Sequence, residues 1–236
     1  MRIHCLQHDP AETPGSILDW AKRRGHDASC TLLCADGPLP LLSDFDWLVV
    51  MGGPMNVYEE NRHPWLKREK VFLRAAIDAG KAVIGICLGG QLIACVTGGL
   101  VTKNPLPEIG WLPVRWRKEA LDDPLFACFP PEATVLEWHG DTFSKLPDGA
   151  RLLAESAACA HQAFVYKERV FGFQFHLEAT ELLLRQFTAE FAGDLTKSPY
   201  VQSAREILAH PEYIEQNNAW LSAFLTALEE RETHRR

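Results

Sequence analysis

Apolar positions along the first hundred residues recur in two periods, near 2 and near 3.6, and the switches between them mark out elements. Residues 2–7, 29–34 and 47–51 read as strands, and 13–24 as a helix closed by Gly25. Over 63–79, Trp65, Leu66, Phe72, Leu73, Ala76 and Ile77 form one helical stripe that Gly80 stops. Residues 82–86 form another strand, and the helix after it ends at Gly98 and Gly99. Alternation of this kind predicts a largely parallel sheet with helices on both faces, and functional residues at the strands' carboxyl ends.

The second half changes character. Residues 111–116, 134–138, 151–154, 163–166 and 170–175 read as shorter strands, some antiparallel, between turns rich in Pro and Gly. After Glu178 the pattern is helical over 182–191, 200–209 and 213–230, the last with Trp220, Leu221, Phe224, Leu225 and Leu228 as a packing face. Only 231–236 reads as a frayed tail.

Candidate chemistry sits where strand turns into helix. Gly85-Ile-Cys87-Leu-Gly89 has the Gly-x-Cys-x-Gly spacing of a nucleophile elbow, whose small flanks let the backbone bend sharply. A cysteine there faces the helix N-terminus, which would favour thiolate over thiol. Taken alone, Cys87 reads equally well as a small buried structural residue. A thiolate nucleophile needs a base and a group to orient it. In the run from Phe171 to Glu178, His176 and Glu178 lie two residues apart, on one side of an extended chain, so Glu178 would accept from Nδ1 and leave Nε2 for the sulfur. The plain alternative is a strand end followed by an ordinary first-turn helix acid. Trp47 to Met55 carries a strand into Gly52-Gly53-Pro54, which reads either as a turn or as a loop with open N–H groups.

Together, Gly-Ile-Cys-Leu-Gly-Gly-Gln and, 89 positions after the cysteine, Gln-Phe-His-Leu-Glu resemble the class I glutamine amidotransferases, and most of all the free-standing members similar to the glutaminase part of GMP synthase. The likeness runs from about Asp46 to Glu178. It implies a three-layer α/β/α, flavodoxin-like fold with a central, mostly parallel mixed sheet, a small antiparallel addition and C-terminal helices. It also implies one domain over 1–236, with a catalytic core to about 192 and a helical extension from about 193. Cys87, His176 and Glu178 take the catalytic positions, and the Gly53 and Leu88 N–H groups the oxyanion hole. Gly52, Gln91, Trp138, His139, Gly140 and Asp141 fall around the substrate, with Asp141 suited to an α-ammonium group unless it is a solvated loop acid. One departure stands out: Leu177 occupies the family's usual proline between histidine and glutamate, leaving stiffness there to packing.

Composition narrows the rest. A net charge of −7 argues against a nucleic-acid binder, and no apolar run approaches the ~20 residues of a membrane span. Seven scattered cysteines and a start without a signal-peptide pattern fit a reducing cytoplasm, with Cys30 and Cys34 expected in the core. His4 and His8 lack a third ligand, so neither metal nor cofactor is expected. The reaction that the resemblance implies is hydrolysis of the γ-carboxamide of glutamine through a Cys87 thioester. Its rivals are a γ-glutamyl peptidase acting on conjugates and a glutaminase subunit idle until a synthetase docks. About 58 residues follow Glu178, too few for a synthetase, so ammonia either passes to a separate synthetase partner or is released outright. The helical tail either caps the fold or mediates a homodimer.

Overall fold

The computed structural model describes residues 1–235. Its strands are β1 (Arg2–Gln7), β2 (Asp27–Leu32), β3 (Trp47–Val50), β4 (Ala82–Ile86), β5 (Leu100–Trp116), β6 (Glu132–Lys145), β7 (Arg151–Glu155), β8 (Ala163–Tyr166) and β9 (Val170–Phe173). Its helices are α1 (Ser16–Arg23), α2 (Trp65–Asp78), α3 (Leu88–Val96), α4 (Lys118–Leu121), α5 (Glu181–Glu190), α6 (Ala204–Leu208) and α7 (Pro211–Thr233). The strands form one nine-stranded sheet in the order β2-β1-β3-β4-β9-β8-β7-β5-β6. From β2 to β9 neighbours run parallel, and from β9 to β6 antiparallel.

Alternate side chains of the parallel strands enter different layers. Trp47 and Val49 of β3 pack with Ile17 and Trp20 of α1 and with Leu221, Phe224 and Leu225 of α7. Leu48 and Val50 pack instead with Leu66 and Leu73 of α2 and Leu92 of α3. With both faces covered, the strand must be apolar throughout, which is why β3 and β4 read as unbroken hydrophobic runs. The fold is therefore the expected mixed α/β one, with four of the nine strands in its antiparallel part.

The antiparallel part extends well past its sequence signal. The β5–β6 ribbon includes Pro105 and Pro107 between Lys103 and Glu108, where the register shifts. Prolines cannot donate to a ladder, and they hide a strand that tolerates them at an irregularity.

Two expectations fail for plain reasons. Cys30 and Cys34 are exposed, because β2 is an edge strand and Cys34 lies in the 3₁₀ turn Leu33–Ala35 beyond it. The frayed tail is largely helix: α7 continues to Thr233, Arg231 donates to the Glu168 carbonyl and Arg235 to the Glu168 carboxylate at 2.6 Å, while Arg236 lies outside the described residues. Residues 193–235 are joined to the sheet rather than set apart, since Phe224 stacks on Phe126 and meets Phe171 and Phe173 edge-on.

Phe224→Ala should therefore cost about 3–5 kcal/mol of unfolding free energy. The measurement is a denaturant midpoint with unchanged slope; a loss below about 1 kcal/mol would mean that α7 is not part of the core.

Candidate active site

The loops that follow β1, β3, β4 and β9 meet at the carboxyl edge of the parallel sheet. Cys87 joins β4 to α3 with φ 50° and ψ −110°, a conformation that costs a non-glycine residue roughly 1–3 kcal/mol and persists only where packing imposes it. The packing is visible at two glycines. A Cβ on Gly85 would lie 2.5 Å from the Gly89 carbonyl, and one on Gly89 would overlap the Val50 carbonyl oxygen. The Cys87 N–H donates to the Phe173 carbonyl at 2.8 Å, tying the elbow to β9.

Three residues beyond Phe173, the His176 N–H donates to the Leu136 carbonyl at 2.8 Å. The His176 Nδ1 meets Glu178 Oε1 at 2.8 Å, and the imidazole and the Cys87 sulfur lie near enough to shift one another's pKa. The three residues are buried. Leu177 packs in the core, and its carbonyl and that of Ala179 each accept from Asn218 Nδ2 at 2.9 Å. The Glu178 carbonyl accepts from the Ser16 N–H at 3.0 Å. Hydrogen bonds from α1 and α7 thus hold the segment that carries leucine in place of proline.

Burial pushes the Cys87 thiol up, and the His176 hydrogen bond only partly offsets this, so the helix terminus does not by itself yield the expected ready thiolate. Burial also works against a charged His176, but the Glu178 carboxylate and the Cys87 sulfur outweigh it and leave the imidazole well above its ordinary range. His176 is thus a strengthened base beside a weakened acid.

A cavity of about 360 Å³ opens over Cys87. Gly53, Leu88, Gln91, Trp138, His139, Gly140 and Asp141 line it; Gly52 does not, being packed between Glu12 and His176. A Cβ on Gly53 would lie 2.9 Å from Leu88 Cδ2, so the loop after β3 rests directly on the first residue of α3. The Cys87 thiol donates to the Trp138 carbonyl at 3.6 Å, and Gln91 Nε2 donates to the Asp141 carbonyl at 3.1 Å and to Gln174 Oε1 at 3.3 Å. Trp138 to Asp141 belong to β6 rather than to a loop, and Asp141 is buried, with Oδ2 lacking a hydrogen-bond partner among the described residues.

His139 turns its side chain away from this chemistry. Its Nδ1 donates to the Asp141 carbonyl at 2.8 Å, not to the carboxylate, and its Nε2 faces Glu108 at 3.1 Å and Glu137 at 3.4 Å. Glu108, His139 and Cys159 bring ligand atoms within 4.8 Å of one another, and their residue types suit a metal. The arrangement fits a hydrogen-bond network better: Ser156 and Gln162 also donate to Glu108 at 2.7 and 2.9 Å, and burial raises the Cys159 thiol to about 12.

Several residues here escape sequence reasoning. Phe191, Gly193, Asp194 and Thr196 line the cavity from beyond α5, and Trp138 Nε1 donates to Asp194 at 3.3 Å. His8 donates through Nδ1 to the Gly52 carbonyl at 2.8 Å and meets Glu69 of α2 at 2.7 Å, bracing the glycine loop. Glu12 lines the cavity beside Cys87, and burial pushes its carboxyl up to about 7, with His176 and His8 pulling against that and Glu178 adding to it. The available signal was position: Glu12 sits in a Pro- and Gly-containing loop at the carboxyl end of a parallel strand.

A family model described as glutamine amidotransferase class-I matches residues 22–187. A glutamine amidotransferase-like protein of Salmonella typhimurium is 37% identical over 217 residues, covering 89% of this chain and 90% of its own. One subunit of a glutamine-hydrolysing GMP synthase from Sulfurisphaera tokodaii is 34% identical over 151 residues, which is 64% of this chain and 76% of that one. The crystal structure of a glutamine amidotransferase from Methylobacillus flagellatus superposes with a TM-score of 0.90 at 31% identity, covering 97% of this chain and 94% of that one.

The buried Glu12 carboxyl has a consequence for stability. Its folded pKa of about 7 lies above the ordinary glutamate value of 4.5, so the folded state binds the extra proton. Stability from this group is full below 4.5 and is lost as pH rises through 7. Glu12→Gln should gain on the parent protein by roughly 3 kcal/mol between pH 4.5 and pH 8, read from denaturant unfolding at each pH. A difference independent of pH would show that Glu12 is not neutralised by burial.

Proposed function

This chain belongs to the class I glutamine amidotransferase family, and from that premise we propose that Cys87 opens the γ-carboxamide of glutamine by way of a γ-glutamyl thioester. The observation that carries the reading is the buried group of Cys87, His176 and Glu178 at the cavity, with 2.8 Å between His176 Nδ1 and Glu178 Oε1 and with His176 and Cys87 shifting one another's pKa.

In this reading the substrate's amino-acid end lies toward Gln91 and the Trp138–Asp141 segment, with the orphaned Asp141 Oδ2 available to an α-ammonium group. The Cys87 sulfur attacks the side-chain carbonyl carbon as its proton passes to His176 Nε2. The oxyanion is held by the Gly53 and Leu88 N–H groups, each such donor being worth roughly 3 kcal/mol in the transition state. Collapse breaks the C–N bond, and the His176 proton leaves with ammonia. Water then gives a proton to His176 and its hydroxide to the thioester, releasing glutamate and returning the proton to sulfur. Glu178 fixes the tautomer and stabilises the imidazolium, and no step calls for a cofactor.

The cavity has room beyond glutamine itself, which supports a second reading in which the scissile nitrogen carries a substituent and the enzyme hydrolyses γ-glutamyl conjugates. The relative from Sulfurisphaera tokodaii is one subunit of its synthase, which supports a synthetase partner as ammonia acceptor. Among the described residues no helix is long and apolar enough to cross a membrane. We place the reaction in the cytoplasm, where glutamine and reduced thiols coincide.

Cys87→Ala should abolish both glutamine turnover and labelling by a glutamine-mimicking diazo-ketone; residual hydrolysis at the parent rate would end the proposal. Glu178→Gln should lower kcat by about 10²-fold or more, with KM little changed, because it removes the partner that raises the basicity of His176. Equal effects on kcat and KM would place Glu178 in substrate binding instead.

A further inference from the structure

The cavity holds a carboxyl group that the triad does not use. Glu12 is 7% exposed, lines the cavity together with Cys87, and its Oε2 has no hydrogen-bond partner among the described residues. A Cβ on Gly52 would overlap that oxygen while lying 3.1 Å from Cε1 of His176, so the carboxyl group and the imidazole flank one glycine. The ionisable groups acting on Glu12 are His176, Glu178, His8 and Asp9, and Glu12 in turn acts on Cys87. None of them hydrogen-bonds Oε2.

The position of Glu12 within the reaction follows from topology. It is carried by the loop after β1, whereas Trp138–Asp141 come from β6 at the far end of the sheet order, and β4, which presents Cys87, lies between. The substrate's carbonyl oxygen is claimed by Gly53 and Leu88, and its amino-acid end by the β6 side. The remaining substituent on the attacked carbon is the leaving nitrogen, which must come to His176 for its proton, and Glu12 stands beside His176. A buried carboxyl oxygen without a donor is costly, and a carboxamide or departing amine brings N–H donors.

We propose that Glu12 accepts a hydrogen bond from the scissile nitrogen, making the site selective for nitrogen leaving groups over oxygen leaving groups. The assignment rests on the thiol-hydrolase reading above. It covers unsubstituted glutamine and γ-glutamyl amides that retain an N–H, and it makes Glu12 a specificity-determining residue that touches substrate.

The test compares L-glutamine with the γ-methyl ester of L-glutamate, which has the same γ-glutamyl part but a leaving oxygen. Glu12→Ala should lose about 10- to 150-fold in kcat/KM on glutamine, the range of a hydrogen bond to a charged group, and less than about threefold on the ester. Glu12→Gln keeps a carbonyl acceptor and should lose less on the amide. It also supplies a readout if the alanine variant does not fold: the parent's amide-to-ester ratio should rise with pH through about 7 as the Glu12 carboxylate forms, and should be flat in Glu12→Gln. Parallel losses on both substrates, or a ratio equally pH-dependent in parent and Glu12→Gln, would overturn the assignment. A folded parent protein that turns over neither substrate would overturn the thiol-hydrolase reading, and this inference with it.

Discussion

The hydrogen bond from the Cys87 N–H to the Phe173 carbonyl is the constraint on which the site depends. It joins the Cys87 backbone to the last residue of β9, three positions before His176. Cys87 and His176 are thereby linked through a short piece of chain, which bonds from α1, β6 and α7 then hold in place. The bond forms because the elbow is pressed down by glycine packing: Gly89 lies against Val50, and a Cβ on Gly90 would meet the Phe173 carbonyl oxygen at 3.0 Å. Three adjacent strands, β3, β4 and β9, therefore converge on one helix start. The positive φ of Cys87 is what that convergence costs locally.

Around this frame the protein accumulates buried charge, and each charge alters the next. Glu178 raises His176, burial raises Cys87, and Glu12 adds negative field to both the thiol and the base. In a water-poor pocket such couplings are much stronger than at the surface, so the placing of one carboxyl group is felt by its charged neighbours. His8 and Glu69 form a further buried pair, which supports the Gly52 carbonyl. The glycine loop is consequently braced from α2 as well as from β3.

The antiparallel half and α7 do more than enlarge the core. Leu136 of β6 accepts the His176 N–H, and Asn218 of α7 holds the carbonyls on both sides of Glu178. Leu177 gains from its burial what a proline would supply through its ring, and two side-chain hydrogen bonds take over the stiffening. The segment over Trp138 lines the cavity with Phe191, Gly193, Asp194 and Thr196, residues that carry no motif at all.

Periodicity alone determined the parallel half of this protein, and its motifs, through their resemblance to a family, singled out Cys87, His176 and Glu178. Both are local properties: β1 and β4 have the expected bounds, Cys87 directly follows β4, and His176 and Glu178 lie a few residues beyond β9 within a short recognisable run. The exposed cysteines went the other way, because nothing in 29–34 says that β2 has a neighbour on one side only. The extent of β5 was hidden by prolines lodged at its irregularity. Only the tertiary structure decided the electrostatics and the walls of the cavity. Glu12, Glu69, Glu108 and Asn218 are ordinary polar residues in sequence, and they gain their roles only when distant segments bury them against a partner or leave them without one. Burial and hydrogen-bond satisfaction are properties of the assembled fold, and a one-dimensional pattern carries neither.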